Sequence, residues 1–141
     1  MSRERKKIKK NDKPETLAER IGKVSEGLFY MSETDAEILP FVGEQTEAVN
    51  AETILKQTKS DALVEERDFE GFFKRLTELQ EWFGAEEIEN ANKFAKLRDI
   101  LQQNLRDIKV FKIGRIELEV YVVGLDKENI LTGIQTKAVE T

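Results

Sequence analysis

The segment from residue 110 to residue 141 reads VFKIGRIELEVYVVGLDKENILTGIQTKAVET, and its alternation of apolar and polar residues decides the fold. The runs 110–113 and 116–123 are rich in β-branched and other apolar residues. Between them stand Gly114 and Arg115, a two-residue link of the length that closes a tight β-hairpin. The segment therefore predicts two antiparallel strands joined by a short turn.

The second of these strands carries apolar residues on both of its faces. Alternate side chains of a strand point to opposite sides of the sheet. One face is expected to hold Ile116, Leu118, Val120 and Val122, and the other Glu117, Glu119, Tyr121 and Val123. Because Tyr121 and Val123 lie opposite the main apolar face, we expect the sheet to be covered on both sides.

A third strand is expected over about 130–136, and the five residues 137–141 follow it. Chain ends usually fray unless the fold holds them. Here the terminus leaves a packed strand directly, so we expect Thr141 to be held. Its hydroxyl group and the α-carboxylate place three oxygens on one residue, which suits a hard metal ion such as Mg²⁺.

Capping residues mark the helices that precede these strands. Thr16 and Glu19 have the spacing of a capping box. Asn50 and Asp68 are typical N-caps of two further helices. The longest helix is expected over 86–107, with one apolar stripe.

A short strand over 37–42 completes the predicted sheet, and Pro40 favours a position at its edge, since proline has no N–H group to donate. The sequence thus predicts an α+β fold in which helices cover a mainly antiparallel, four-stranded sheet.

The composition narrows the classes of function. The chain has 141 residues, enough for one domain with a buried core, and it contains no His and no Cys. These residue types supply the commonest general base and all thiol chemistry, so we expect a protein that is not an enzyme. We find neither an apolar run of ~20 residues nor a secretory signal, and we expect a cytoplasmic location.

The charge is divided unequally along the chain. Residues 1–13 hold seven Lys and Arg against two acids, whereas residues 14–141 hold 16 basic and 26 acidic side chains. We expect a disordered basic leader over 1–13 and a single acidic domain over 14–141. Such a surface can present carboxylates where a nucleic-acid groove receives phosphates, although the composition also fits an ordinary soluble acidic protein.

Three stretches carry a resemblance to a known family: GLFYMSE at 27–33, VFKIGRIELEVYVVG at 110–124 and ILTGIQTKAVET at 130–141. From about residue 16 to the end, the chain resembles the nuclease A inhibitors. The resemblance implies an α/β/α sandwich similar to plant pathogenesis-related proteins. It also implies a free monomer that plugs the active site of a Mg²⁺-dependent, sugar-nonspecific endonuclease at one-to-one stoichiometry, with no cofactor of its own.

The same resemblance implies which residues contact the nuclease. Glu33, Trp82 and Thr141 match contact positions of the family, and Glu81 stands where the family has an Asp. In the family pattern the terminal Thr reaches the catalytic Mg²⁺ of the nuclease, so the metal belongs to the partner and this chain is expected to have no metal site.

Two alternatives stay open on the sequence alone. In the first, the protein is a nucleic-acid-associated or scaffold protein that binds through residues 3–13. In the second, Glu33 and another carboxylate form an acid/base pair, but no spacing in the sequence supports such a pair. Deletion of residues 1–13 separates inhibition from nucleic-acid binding.

Overall fold

The computed structural model describes residues 15–141, and the predicted leader over residues 1–13 lies outside the described residues. We number the elements in chain order: α1 (Leu17–Ser25), β1 (Phe29–Met31), β2 (Asp35–Glu37), β3 (Leu39–Gln45), α2 (Ala51–Thr58), β4 (Val64–Arg67), α3 (Phe69–Thr77), α4 (Ala85–Asn104), β5 (Arg106–Gly114), β6 (Glu117–Leu125) and β7 (Ile130–Val139). The mixture of helices and strands confirms the predicted α+β class.

Five strands form one antiparallel sheet in the order β3-β7-β6-β5-β4, and β1 and β2 form a separate two-stranded hairpin. The expectation of a four-stranded sheet is therefore wrong, because β4 adds a fifth strand. Three of the four residues of β4 are charged and exposed, and only Val64 is half-buried. Charged side chains protect a sheet edge from pairing with other chains. Because such a strand lacks alternating apolar residues, its sequence does not indicate a strand.

The core lies on both faces of the five-stranded sheet, as the two apolar faces of β6 predict. On one face, Leu118, Val120 and Val122 pack against residues of α1, α3 and α4. On the other face, Tyr121 and Val123 belong to a second cluster that includes residues of α2. The central strands are thus enclosed between helices, while the charged residues of the edge strand β4 remain in contact with solvent.

The predicted capping residues begin the helices as expected. Thr16 and Glu19 form a reciprocal capping box, in which the Glu19 N–H donates to Thr16 Oγ1 (3.1 Å) and the Thr16 N–H to Glu19 Oε1 (2.8 Å). The side chains of Asn50 and Asp68 accept hydrogen bonds from the N–H groups of Thr53 and Gly71, at 2.8 Å each. These bonds satisfy N–H groups that have no partner within a helix.

The turn between β5 and β6 differs from the prediction by one residue. β5 continues through Gly114, and the turn is formed by Arg115 and Ile116. Ile116 was expected on the core face, and that expectation is wrong because its side chain lies in the turn and is 55% exposed. Gly114 has a φ of +118°, and an added Cβ would meet the Glu117 carbonyl oxygen at 2.4 Å, so this position requires glycine.

The edge position of Pro40 is confirmed. It lies in β3, the outermost strand beside β7, where it is paired with Ile134. None of the helices in the described part of the chain is long and apolar enough to cross a membrane.

Candidate functional site

The C-terminal residues Glu140 and Thr141 follow β7 and are held by hydrogen bonds. The Glu140 N–H donates to the Ile116 carbonyl oxygen at 2.9 Å. The Glu140 carboxylate accepts a hydrogen bond from Lys112 Nζ at 2.8 Å. The N–H and the hydroxyl group of Thr141 both donate to Glu33 Oε2, each at 2.7 Å. Residues 140 and 141 are therefore bonded both to the β5–β6 hairpin and to the loop between β1 and β2.

Glu33 is placed by the tight loop between β1 and β2. The Ser32 N–H donates to the Thr34 carbonyl oxygen at 2.9 Å, which closes the loop on itself. Two further bonds join this loop to the end of β7: the Glu33 N–H donates to the Val139 carbonyl oxygen (3.2 Å), and the Val139 N–H donates to Ser32 Oγ (3.0 Å). The backbone of Glu33 is thus positioned by the same strand that delivers Thr141.

The hydrogen bonds from Thr141 also change the acidity of Glu33. The hydroxyl group of Thr141, and next its backbone N–H, hold the pKa of the Glu33 carboxyl below its ordinary value of 4.5. A donated hydrogen bond favours the ionised carboxylate because it stabilises the negative charge. At neutral pH the Glu33 carboxylate is therefore charged and accepts both bonds.

This arrangement leaves oxygen atoms at the terminus for another partner. The Thr141 hydroxyl group donates its proton to Glu33, but its oxygen keeps lone pairs that can accept further bonds. Hard divalent cations prefer such oxygen ligands. Within residues 15–141, no group of three or more carboxylates is arranged to hold a metal ion.

Glu81 and Trp82 lie in a second region, the loop of residues 78–84 between α3 and α4. Trp82 is 74% exposed, and its ring packs edge-to-face on Phe83 with 4.7 Å between the ring centroids. The Phe83 N–H donates to the Gln80 carbonyl oxygen at 3.1 Å, which turns the loop. Trp82 therefore does not belong to the core, and Glu81 beside it is also exposed.

The structure joins two of the four predicted residues directly and places the other two on a neighbouring element. Glu33 and Thr141 share hydrogen bonds, whereas Glu81 and Trp82 follow α3. The two regions are connected by packing, because Tyr30 of β1 stacks on Phe72 of α3 with a centroid distance of 5.6 Å.

Two residues that support the terminus were not predicted. Ser32 gives no signal in sequence, since its role depends on the approach of β7. Lys112 does give one, because it interrupts the apolar run Val110-Phe111-Lys112-Ile113 of a central strand. Its side chain is only 16% exposed, and a lysine in that setting requires an anionic partner, here Glu140.

These features define a small α+β domain with a tethered C terminus and an exposed aromatic loop. A sequence model for nuclease A inhibitor-like proteins matches residues 15–141, which is most of the chain, and the protein belongs to that family. The family implies a role as a nuclease inhibitor and a nuclease as the protein partner. A search of curated proteins found no match to the chain.

Proposed function

We propose that this protein inhibits a Mg²⁺-dependent, sugar-nonspecific endonuclease by occluding its active site, with Thr141 directed at the metal ion of the nuclease. The observation that carries the proposal is the pair of 2.7 Å hydrogen bonds from Thr141 to Glu33. Mg²⁺ accepts oxygen ligands at about 2.1 Å and tolerates distorted geometry poorly. A terminus that is already fixed can meet this requirement without the entropic cost of ordering a free chain end.

The charge of the domain supports the same function. All seven carboxylates between residues 24 and 55 are exposed, and this stretch contains no Lys or Arg. Glu33, which accepts the hydrogen bonds of Thr141, is one of them. Acidic surfaces accelerate association with the basic grooves that bind nucleic acids, and they make that association dependent on salt.

In this proposal the four predicted residues have different roles. Thr141 supplies oxygen ligands to the metal of the nuclease, and Glu33 holds Thr141 in position. Trp82 is an exposed aromatic anchor of the kind enriched in binding hot spots, and Glu81 adds a charge beside it. The protein itself performs no catalysis, and it forms a complex with one nuclease molecule.

The experiment is a titration of the full-length protein into a sugar-nonspecific endonuclease, with cleavage of DNA in Mg²⁺ as the readout. We expect the rate to fall linearly and to reach its minimum at one equivalent. Full activity of several such nucleases in the presence of excess protein would contradict the proposal.

The same titration with a chain that lacks residues 1–13 distinguishes the alternative function. If the domain inhibits, the end point stays at one equivalent. If residues 1–13 instead supply the function, neither the full-length nor the truncated protein inhibits the nuclease. In a separate binding measurement, the truncated chain then has a lower affinity for DNA than the full-length chain.

A further inference from the structure

A cavity of about 170 Å³ lies between α3, β4 and β5, with Tyr30 of β1 at one side. Three basic side chains line it, each from a different element: Arg67 from β4, Arg75 from α3 and Lys112 from β5. Residues 14–141 carry ten more acids than bases, so the meeting of three cations in one cavity departs from the charge of the surrounding surface.

The strand register explains how Arg67 and Lys112 come to the same cavity. Glu65 is paired with Lys112, and Arg67 is paired with Val110. Paired residues of adjacent strands share a face, as do residues two positions apart in one strand. Val110 belongs to the core cluster on the side of α3, so Arg67 and Lys112 also face α3, whose Arg75 lines the same cavity.

Carboxylates near the cavity form ion pairs with two of the three cations. Lys112 is paired with Glu140 at 2.8 Å, and Arg67 is paired with Glu65. Arg75 forms no ion pair with any residue of the described range 15–141. Asp68 lies in the wall, but one of its oxygens already accepts the Gly71 N–H at 2.8 Å as the cap of α3. The three carboxylates therefore balance the three cations in formal charge, and Arg75 supplies the hydrogen-bond donors that no carboxylate of the described residues takes up in an ion pair.

We propose that this cavity binds a small phosphate anion, either inorganic phosphate or the phosphate group of a monoester. Two guanidinium groups and an ammonium group together offer more hydrogen-bond donors than the two oxygens of a carboxylate can accept. A phosphate group has three terminal oxygens and can accept bonds from all three side chains. The volume is below the ~300 Å³ at which pockets for drug-sized ligands begin, so the site fits the phosphate group rather than a large ligand. Phe72 and Tyr30 form the apolar side of the cavity.

Binding at this site is coupled to the C terminus through Lys112. The ammonium group that holds Glu140 is the same one that lines the cavity. An anion that takes up part of the hydrogen bonding of Lys112 weakens its bond to Glu140, the residue next to Thr141. The proposal concerns the chain alone and does not depend on the inhibition of a nuclease.

The test is a titration of the full-length, ¹⁵N-labelled protein with inorganic phosphate at constant ionic strength, followed by NMR. We expect saturable shifts of the amide signals of Gly71 and Leu76, which line the cavity, together with those of Glu140 and Thr141. Shifts that do not saturate, or that spread evenly over the surface, would overturn the proposal.

Matched variants make the test specific to the cavity. Arg75→Gln should weaken phosphate binding by about tenfold or more, since it removes a charged hydrogen-bond donor. Arg98→Gln removes the same charge from α4, outside the cavity, and should leave binding unchanged. Both arginines lie on helix surfaces, and the NMR spectra report whether each variant is folded. Equal weakening by the two variants would show a general charge effect and overturn the site.

A second arm of the titration uses a nucleoside 5′-monophosphate and the matching nucleoside. If phosphate and the nucleotide bind equally and the nucleoside does not bind, the phosphate group alone is recognised. Tighter binding of the nucleotide than of inorganic phosphate assigns a monoester as the ligand. The nucleoside part then contacts the side of the cavity that Phe72 forms. Binding of the nucleoside without phosphate would overturn the proposal.

Discussion

The tethered C terminus and the loop of residues 78–84 are both exposed, but they are built differently. Thr141 is fixed by two hydrogen bonds to Glu33, and the loop that carries Glu33 is itself bonded to β7. The Trp82 ring packs on that of its neighbour Phe83, and most of its surface faces solvent. One region is rigid because its backbone is bonded on both sides, whereas the other offers a large aromatic surface with few contacts of its own.

This difference suits two kinds of binding. A metal ligand must arrive at a defined distance, so a rigid attachment is an advantage. An aromatic anchor gains most of its binding energy from burial of area, which does not require the same accuracy. We therefore expect changes in length to affect the terminus most, and changes in side-chain size to affect the loop most.

The largest effect is expected for changes at the C terminus. Deletion of Thr141, or addition of a few residues after it, should weaken inhibition by about 100-fold or more, because no ligand then reaches the metal in the correct geometry. Thr141→Ser keeps the hydroxyl group and should retain inhibition, whereas Thr141→Val should not. The measurement is nuclease rate against inhibitor concentration. Equal potency of all these proteins would mean that Thr141 does not act as a metal ligand and that the protein inhibits only by covering the active site with its surface.

The next effect concerns Trp82. Trp82→Ala should weaken binding to the nuclease by ~2 kcal/mol while leaving the melting temperature nearly unchanged, because the side chain is already exposed in the free protein. Leu79→Ala is the matched control, since Leu79 is an exposed apolar residue of the same loop. Calorimetric titration measures the first quantity and thermal unfolding the second. A melting temperature that falls by many degrees would mean that Trp82 stabilises the fold.

A smaller loss is expected for Glu33→Gln. The amide can still accept hydrogen bonds from Thr141, but it lacks the negative charge that strengthens them, so the inhibition constant should rise by about tenfold. Glu37→Gln makes the same chemical change in the same hairpin, at an exposed residue that does not contact Thr141, and should have little effect. If the two variants behave alike, Glu33 acts only as one of several surface charges.

The smallest effect is expected when the free protein is acidified, and it concerns the hydrogen bonds between Thr141 and Glu33. The folded-state pKa of Glu33 lies below 4.5, so its hydrogen bonds with Thr141 are fully present above that pH. They are lost as the pH falls below 4.5 and passes through the folded-state pKa, because the protonated carboxyl accepts hydrogen bonds poorly. The amide shift of Thr141 should follow this titration and should be insensitive to pH in the Glu33→Gln variant. A Thr141 shift that titrates equally in both proteins would assign the change to another group.

Much of this architecture was predictable because it depends on local patterns. Asn50 and Asp68 were identified as caps from their positions before helical segments, and both caps are present. The two apolar faces of β6 correctly predicted a sheet covered on both sides.

The prediction failed where few residues carry a signal. β4 has one apolar residue among four, and Ile116 resembles a core residue although the turn exposes it. Trp82 was singled out by the resemblance to the family rather than by a local pattern, and the structure shows that its side chain is exposed.

The sequence by itself determined the α+β class, the caps of the helices, the acidic character of the domain and the residues that resemble the contact positions of the family. These properties follow from residue types at short separations along the chain. Only the tertiary structure decided that Glu33 holds Thr141, that Lys112 holds Glu140, and that Arg67, Arg75 and Lys112 line one cavity. Glu33 and Thr141 are 108 residues apart in sequence, and their contact exists because β7 passes beside the β1–β2 loop, a result of strand pairing that no local pattern contains.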